Sequence, residues 1–258
     1  MTTTIVSSLD QGVLELSSSS EDGLNTMDDR WFDRLASLLS EAAGDSAVRA
    51  VLLSARGKMF CAGANLPAVA ASALQRGFAG SPLATLLARL MDFPKPLLAA
   101  VHGKAIGGGA TLLLHCDLVV AAADTQFRLP FTSLGAVPEL GASYLLPRAA
   151  GSKLANELLL LGDGFDAATA LRAGLINVFV PAGEELGVAR QWAGQLAALA
   201  PDAVQTTKRL LREAQHGGLP ACVAREGEAL AHALSSGEVK EALAAFIEKR
   251  RPNFSRFH

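Results

Sequence analysis

The fold class that this sequence predicts is an α/β core followed by an all-helical C-terminal part. From Val13 to Val180, short apolar runs of strand length alternate with stretches of helical period. From about Glu184 onward only helical stretches follow. That order fits a sheet covered by helices, with a helical appendage. The third observation is Gly107-Gly108-Gly109, set between the strand-like Leu97–Val101 and the buried helical start Ala110–Leu114. Three glycines at such a junction let the backbone take positive φ and approach another group closely.

Taken in order, Val13–Leu16 is a short strand and Ser17–Gly23 a polar loop. A helix starts near Met27–Asp29, with Trp31, Leu35, Leu38 and Leu39 at helical spacing on its apolar face. Ala50–Leu53 is a buried strand and Ala55–Lys58 a turn. Phe60-Cys61-Ala62-Gly63-Ala64-Asn65-Leu66 then joins a strand to a helix that Asn65 can cap. It is either a plain junction or a place where backbone amides face a ligand. The alanine-rich stretch from Pro67 to Gly80 has no clear stripe. Pro82–Met91 is helical and ends before Phe93-Pro94-Lys95-Pro96.

Beyond the glycines, Leu118–Ala122 is a strand, and Phe127–Pro130 follows a turn at Asp124-Thr125. Pro138-Glu139-Leu140-Gly141 opens a helix running through Tyr144 to Leu146. Ser152 and Asp166 cap two more helices that stop at Gly162 and Gly174. Asn177–Val180 is the last strand. Helices follow over roughly 184–199, 202–215, 219–234 and 237–249, broken at Pro201, Gly217-Gly218 and Ser235-Ser236-Gly237. This divides the chain into a core over 1–195 and a helical region over 196–258.

With 258 residues, half of them hydrophobic, the chain can bury a large core. A formal net charge of -2 gives no electrostatic reason to expect nucleic acid. Cys61, Cys116 and Cys222 lack metal-ligand spacing and read as reduced thiols of a cytoplasmic protein. The first ten residues do not form a signal peptide, and no apolar run is long enough to span a bilayer.

The junction at Gly107–Gly109 either makes a tight turn or presents unpaired N–H groups to an anion, or to an oxygen that becomes anionic in a reaction. It is not a dinucleotide fingerprint, because Leu112 stands where a glycine is required. No phosphate loop and no G-x-S-x-G elbow occurs. His102 and His115 make no metal set with Cys116 and Asp117. Glu139 has two readings. A carboxylate at a helix start is a favourable dipole partner. Flanked by Leu134, Val137, Leu140 and Tyr144, it is also a partly desolvated acid whose pKa rises towards neutrality, able to take and return a proton.

These residues carry a resemblance to the crotonase superfamily, also called the enoyl-CoA hydratase/isomerase family, over nearly the whole chain. Its most specific parts are Phe60–Leu66, Lys95-Pro96-Leu97 through Gly109, and Cys116-Asp117-Leu118. Ala170–Ile176 and Phe246–Pro252 add support. The resemblance implies a spiral of ββα turns with a C-terminal helical trimerisation region, assembled as a homotrimer or a hexamer. It implies an acyl-CoA thioester as substrate, with coenzyme A belonging to the substrate and no separate cofactor. By motif position, the backbone N–H groups of Ala64 and Gly108 would hold the thioester oxygen. Backbone groups around Ala62, Ala64, Asn65 and Leu66 would hold coenzyme A, and Asn65 stands where many members carry Asp. Lys249 and Arg250 are either contacts to the CoA phosphates or a solvated basic helix end.

The resemblance also narrows the reaction. Hydratases of the family use two glutamates, whose positions here are Thr111 and Phe131, and neither can act as an acid or base near neutral pH. Glu139 instead resembles the single glutamate of the Δ3,Δ2-enoyl-CoA isomerases. The reading that follows is a 3-enoyl-CoA to trans-2-enoyl-CoA isomerase. Alternatives are enoyl-CoA hydration, thioester hydrolysis, and an acyl-CoA-binding protein without catalysis.

Overall fold

The computed structural model describes residues 2–255 and 257, with backbone alone at residues 70, 73, 74 and 216. Strands β1 (Thr4–Asp10) and β2 (Val13–Ser19) form an antiparallel hairpin. β1 is polar and mostly exposed, so it carries no apolar alternation from which a strand could be read. Helix α1 (Asp29–Gly44) begins where the Asp28 side chain accepts the Trp31 N–H at 3.0 Å, and it buries Trp31, Leu35, Leu38 and Leu39 as expected. Strand β3 (Ala50–Ala55) leads through residues 60–65 into α2 (Leu66–Arg76), whose start is capped by Asn65 Oδ1 accepting Ala68 N–H at 3.3 Å. Helix α3 (Pro82–Asp92) follows, capped by Ser81.

Next come β4 (Leu97–Val101), β5 (Lys104–Ile106) and α4 (Gly108–Thr111), which tightens into a 3-10 turn over Leu112–His115. Strands β6 (Leu118–Ala122) and β7 (Gln126–Arg128) lead to α5 (Ala142–Ala150). Helix α6 (Ser152–Asn156) runs into a π-helical turn, Glu157–Leu161. Strand β8 (Gly164–Asp166), α7 (Ala167–Arg172) and β9 (Val178–Val180) complete the α/β part. The C-terminal helices are α8 (Glu185–Ala198), α9 (Pro201–His216), α10 (Leu219–Ser235) and α11 (Gly237–Ile247).

Two helix starts differ from expectation. The helix expected from Pro138 begins at Ala142, because Leu140 and Gly141 take positive φ (55° and 72°), which an α-helix does not admit. Ser152 is the first residue of its helix rather than the cap; Gly151, at φ 75°, precedes it. Asp166 does cap α7, accepting Thr169 N–H at 2.8 Å.

The larger sheet has the order β1-β2-β3-β4-β6-β9, parallel from β2 onward. Its central strands are buried on both faces, which is why they read as unbroken apolar runs. Val51, Leu53, Leu97, Ala99 and Val101 point into the main core with α1 and α3. Ala50, Leu52, Leu98 and Ala100 point the other way, against Ala189 and Ala193 of α8. The smaller sheet has the order β5-β7-β8, with β5 and β7 parallel and β7 and β8 antiparallel. Two turns of the spiral run from the large sheet to the small one and then into a helix: β4 to β5 to α4, and β6 to β7 to α5. Among the described residues, no helix is long and apolar enough to cross a membrane.

Candidate active site

Three successive turns of the spiral deliver the three principal residues. Cys61 pairs with Ala105, and Ala105 with Phe127, in parallel register. Three residues beyond Cys61 is Ala64, and three beyond Ala105 is Gly108. The two segments therefore leave the small sheet side by side. Glycine is required along this path. Gly63 takes φ 98°, and a Cβ there would lie 3.0 Å from Ile106 O. A Cβ on Gly109 would lie 2.6 Å from Cys61 Cβ, so the strand and the helix start can approach only without one.

Met27 ties the two segments together. Its N–H donates to Gly63 O at 2.9 Å, its carbonyl accepts Asn65 N–H at 2.7 Å, and its side chain packs on Gly108. Ala62 N–H is likewise spent, donated to Leu24 O at 2.9 Å. By contrast, neither Ala64 N–H nor Gly108 N–H donates to a protein acceptor among the described residues. The Gly108 N–H is open because it belongs to the first turn of α4, where N–H groups have no intrahelical acceptor.

Glu139 comes from the third turn, in the segment between β7 and α5. A Cβ placed on Gly108 would stand 3.2 Å from Glu139 Oε1, so the carboxyl lies directly against the glycine whose N–H is open. As a residue Glu139 is half-buried, but its carboxyl is ringed by protein. Burial pushes its pKa up to about 7, the hydrogen bond from Thr111 pulls it down, and the charge of Glu226 adds to the rise. Thr111 Oγ1 lies 2.9 Å from Glu139 Oε1. The expectation of a desolvated acid at residue 139 agrees with this geometry. Its proximity to a helix start does not supply the reason, since α5 begins three residues later.

The turn carrying Glu139 is strained and held from outside. Leu140, a branched residue, sits at φ 55°, a conformation that costs about 1–3 kcal/mol. His115 Nε2 lies 2.7 Å from Leu140 O. Glu226 on α10 accepts Gly141 N–H and Ser143 N–H, both at 2.7 Å. That carboxylate caps α5 in place of a local side chain. Burial raises the pKa of Glu226, and the two donors oppose the rise.

The remaining predicted positions divide. Ala62, Ala64, Asn65 and Leu66 lie together where β3 passes into α2. Lys249 is exposed beyond α11 at φ 53°, with its N–H donated to Phe246 O at 3.2 Å. Arg250 is engaged by Glu241 and Glu248. Phe131 is buried at 7% exposure and supplies no acid. No group of three His, Cys, Asp or Glu among the described residues is placed to hold a metal.

Sequence reasoning treated Thr111 only as a missing acid and did not single out Glu226, His115 or Met27 as parts of this site. For Glu226 a signal existed: it lies on the apolar stripe Leu219, Cys222, Leu230 and Leu234 of α10, where an unpaired carboxylate is unfavourable. The other three had none, because each contact joins residues distant in sequence.

Comparison with known proteins agrees with this architecture. The family model described as enoyl-CoA hydratase/isomerase matches residues 9–256. The 2,3-dehydroadipyl-CoA hydratase of Escherichia coli K12 is 33% identical over 250 residues, covering 97% of this chain and 98% of that protein. The 1,2-epoxyphenylacetyl-CoA isomerase of the same organism is 33% identical over 262 residues, with coverage of 97% and 98%. Hydratase names predominate among the relatives. A crystal structure of an enoyl-CoA hydratase/isomerase from Pseudoalteromonas atlantica T6c superposes with a TM-score of 0.90 at 37% identity, covering 97% of this chain and 99% of that one.

Proposed function

The chain belongs to the enoyl-CoA hydratase/isomerase family, and within that family of acyl-CoA enzymes we propose that it moves a double bond, converting a 3-enoyl-CoA to the trans-2-enoyl-CoA. The observation that carries this reading is the Glu139 carboxyl lying against Gly108, whose N–H, like that of Ala64, has no acceptor among the described residues.

The reaction needs one base and one place for negative charge. Glu139 removes a proton from C2, and the electron pair of that C–H bond moves into a dienolate with charge on the thioester oxygen. The N–H groups of Ala64 and Gly108 hold that oxygen; losing one such donor typically costs about 3 kcal/mol. Glu139 then returns its proton at C4. A carboxyl with a pKa of about 7 suits both halves, being basic enough to take the proton and acidic enough to release it. Ala62, Asn65 and Leu66 flank Ala64 in the chain and are assigned to the coenzyme A portion on the family resemblance. Lys249 is assigned to its phosphates on the family resemblance.

Replacing Glu139 by Gln is expected to abolish conversion of 3-hexenoyl-CoA while leaving CoA-ester binding nearly intact. Full turnover by this variant would end the assignment. The hydratase names among the relatives favour a second reading, water addition. Incubating the protein with crotonyl-CoA and following the loss of enone absorbance tests it. Thr111 and Phe131 occupy the positions of the two hydratase acids, so the expected result is no loss. Binding without catalysis predicts no deuterium wash-in at C2 of 3-hexenoyl-CoA in heavy water. We further assign the chain to a homotrimer or a hexamer, on the family resemblance and on the exposed Leu210, Leu211, Phe246 and Ile247. A light-scattering mass three or six times the 26.8 kDa of one chain is expected, and the mass of a single chain would overturn the assignment.

A further inference from the structure

Thr111 stands where the two halves of the site meet. It is completely buried, and its hydroxyl has two acceptors within reach: Glu139 Oε1 at 2.9 Å and Gly107 O at 3.3 Å. A hydroxyl has one proton, so it serves one of them at a time. The second acceptor matters because of what it is bonded to. Gly107 C=O and Gly108 N–H are the two ends of a single peptide unit, and that N–H is one of the two open donors.

Resting on the proton-shuttle reading above, we propose that Thr111 is a positioning residue whose hydroxyl follows the charge of Glu139, donating to the carboxylate and turning to the Gly107 carbonyl once the carboxyl has taken the proton. A carboxylate is a stronger acceptor than a neutral carboxyl, so the preference reverses when the proton arrives. At that moment the thioester oxygen carries its full negative charge. A hydrogen bond to Gly107 C=O polarises the peptide unit and strengthens the N–H holding that oxygen. Thr111 keeps its own proton throughout, and only its hydroxyl hydrogen turns about the Cβ–Oγ1 bond. The proton in transit leaves C2, resides on Glu139 and returns to C4.

Other titratable and charged groups near Glu139 come from three elements. Glu226 reaches the turn from α10. Cys61 lies before α2, its thiol pushed up to about 12 by burial. His115, from the 3-10 turn, contacts Leu140 O. None of them bridges Glu139 to Gly107.

The test uses the full chain with Thr111→Val and Thr111→Ser. Carbon-13 labelling of glutamate side-chain carboxyls, with the Glu139 signal assigned by its loss in Glu139→Gln, reads the titration directly. A wild-type midpoint near 7 is expected. In Thr111→Val the midpoint moves up, since the donor to the ionised form is gone, and Thr111→Ser restores it. Deuterium exchange at C2 of 3-hexenoyl-CoA, measured above each midpoint, falls about tenfold in Thr111→Val and is largely kept in Thr111→Ser. An unmoved midpoint and rate in Thr111→Val, or a Thr111→Ser variant as impaired as Thr111→Val, overturns the proposal. Thr111→Ala, which cannot overpack the position, carries the same expectations should the valine variant fail to fold. The two readings fail separately. Exchange that persists in Glu139→Gln removes the proton shuttle, whereas the carboxyl titration tests the Thr111–Glu139 link without any turnover.

Discussion

Glu139 is costly to the fold when ionised, and the direction of that cost can be worked out. A folded pKa of about 7 against the ordinary carboxyl value of 4.5 means that the folded state binds more protons than the unfolded state between those values. Stability therefore falls as pH rises through that window, and the full cost is present above it. Glu139→Gln removes the ionising group. It is expected to be more stable than the wild type at pH 8 by roughly 1–3 kcal/mol, with the difference shrinking towards pH 5. Thermal unfolding at the two pH values checks this. An acid that destabilises its own fold is common where function requires a poised pKa. The apolar neighbours Leu134, Val137 and Leu140 made a raised pKa legible in the sequence. The Thr111 hydrogen bond that opposes the rise was not, because the two residues are 28 positions apart.

Among the elements, α10 does more than cover the core. Its Glu226 accepts both Gly141 N–H and Ser143 N–H, and so secures the start of α5 and the strained Leu140 before it. Glu226→Ala leaves two backbone donors without partners, at about 1–3 kcal/mol each. The expected outcome is a lower Tm together with a lower kcat for 3-hexenoyl-CoA and a smaller change in KM, with Glu226→Gln recovering part of both. Helix positions themselves were largely legible: α1, α3 and the four C-terminal helices follow apolar stripes or breaks at Pro and Gly. β5 and β8 were not, since three residues are too few to show a period.

At the scale of the whole molecule, the C-terminal helices are tied to the sheet by buried charge. Lys208 on α9 donates to Asp117 Oδ2 at 2.6 Å and to Lys95 O at 2.5 Å, and Asp117 Oδ2 also accepts Leu97 N–H at 2.7 Å. Burial lowers the pKa of Lys208 to about 8, opposed by Asp117, so the charge is held at a net cost. Lys95 in turn donates to Ala42 O at 2.6 Å and Asp45 O at 2.7 Å, closing the end of α1. Lys208→Met is expected to lose about 1–3 kcal/mol in denaturant unfolding, because Asp117 is left without its nearest cation. Combined with Asp117→Asn, the loss should be smaller than the sum of the two single variants. The sequence by itself determined the alternation of strand and helix, the glycine junctions and the acid at 139, since periodicity, backbone freedom and side-chain type are local properties. Only the tertiary structure decided that the Glu139 carboxyl lies against Gly108, that Thr111 reaches both Glu139 and Gly107 and that Glu226 supports the turn. Those contacts depend on parallel register and on a helix folding back from the far end of the chain, which no local pattern encodes.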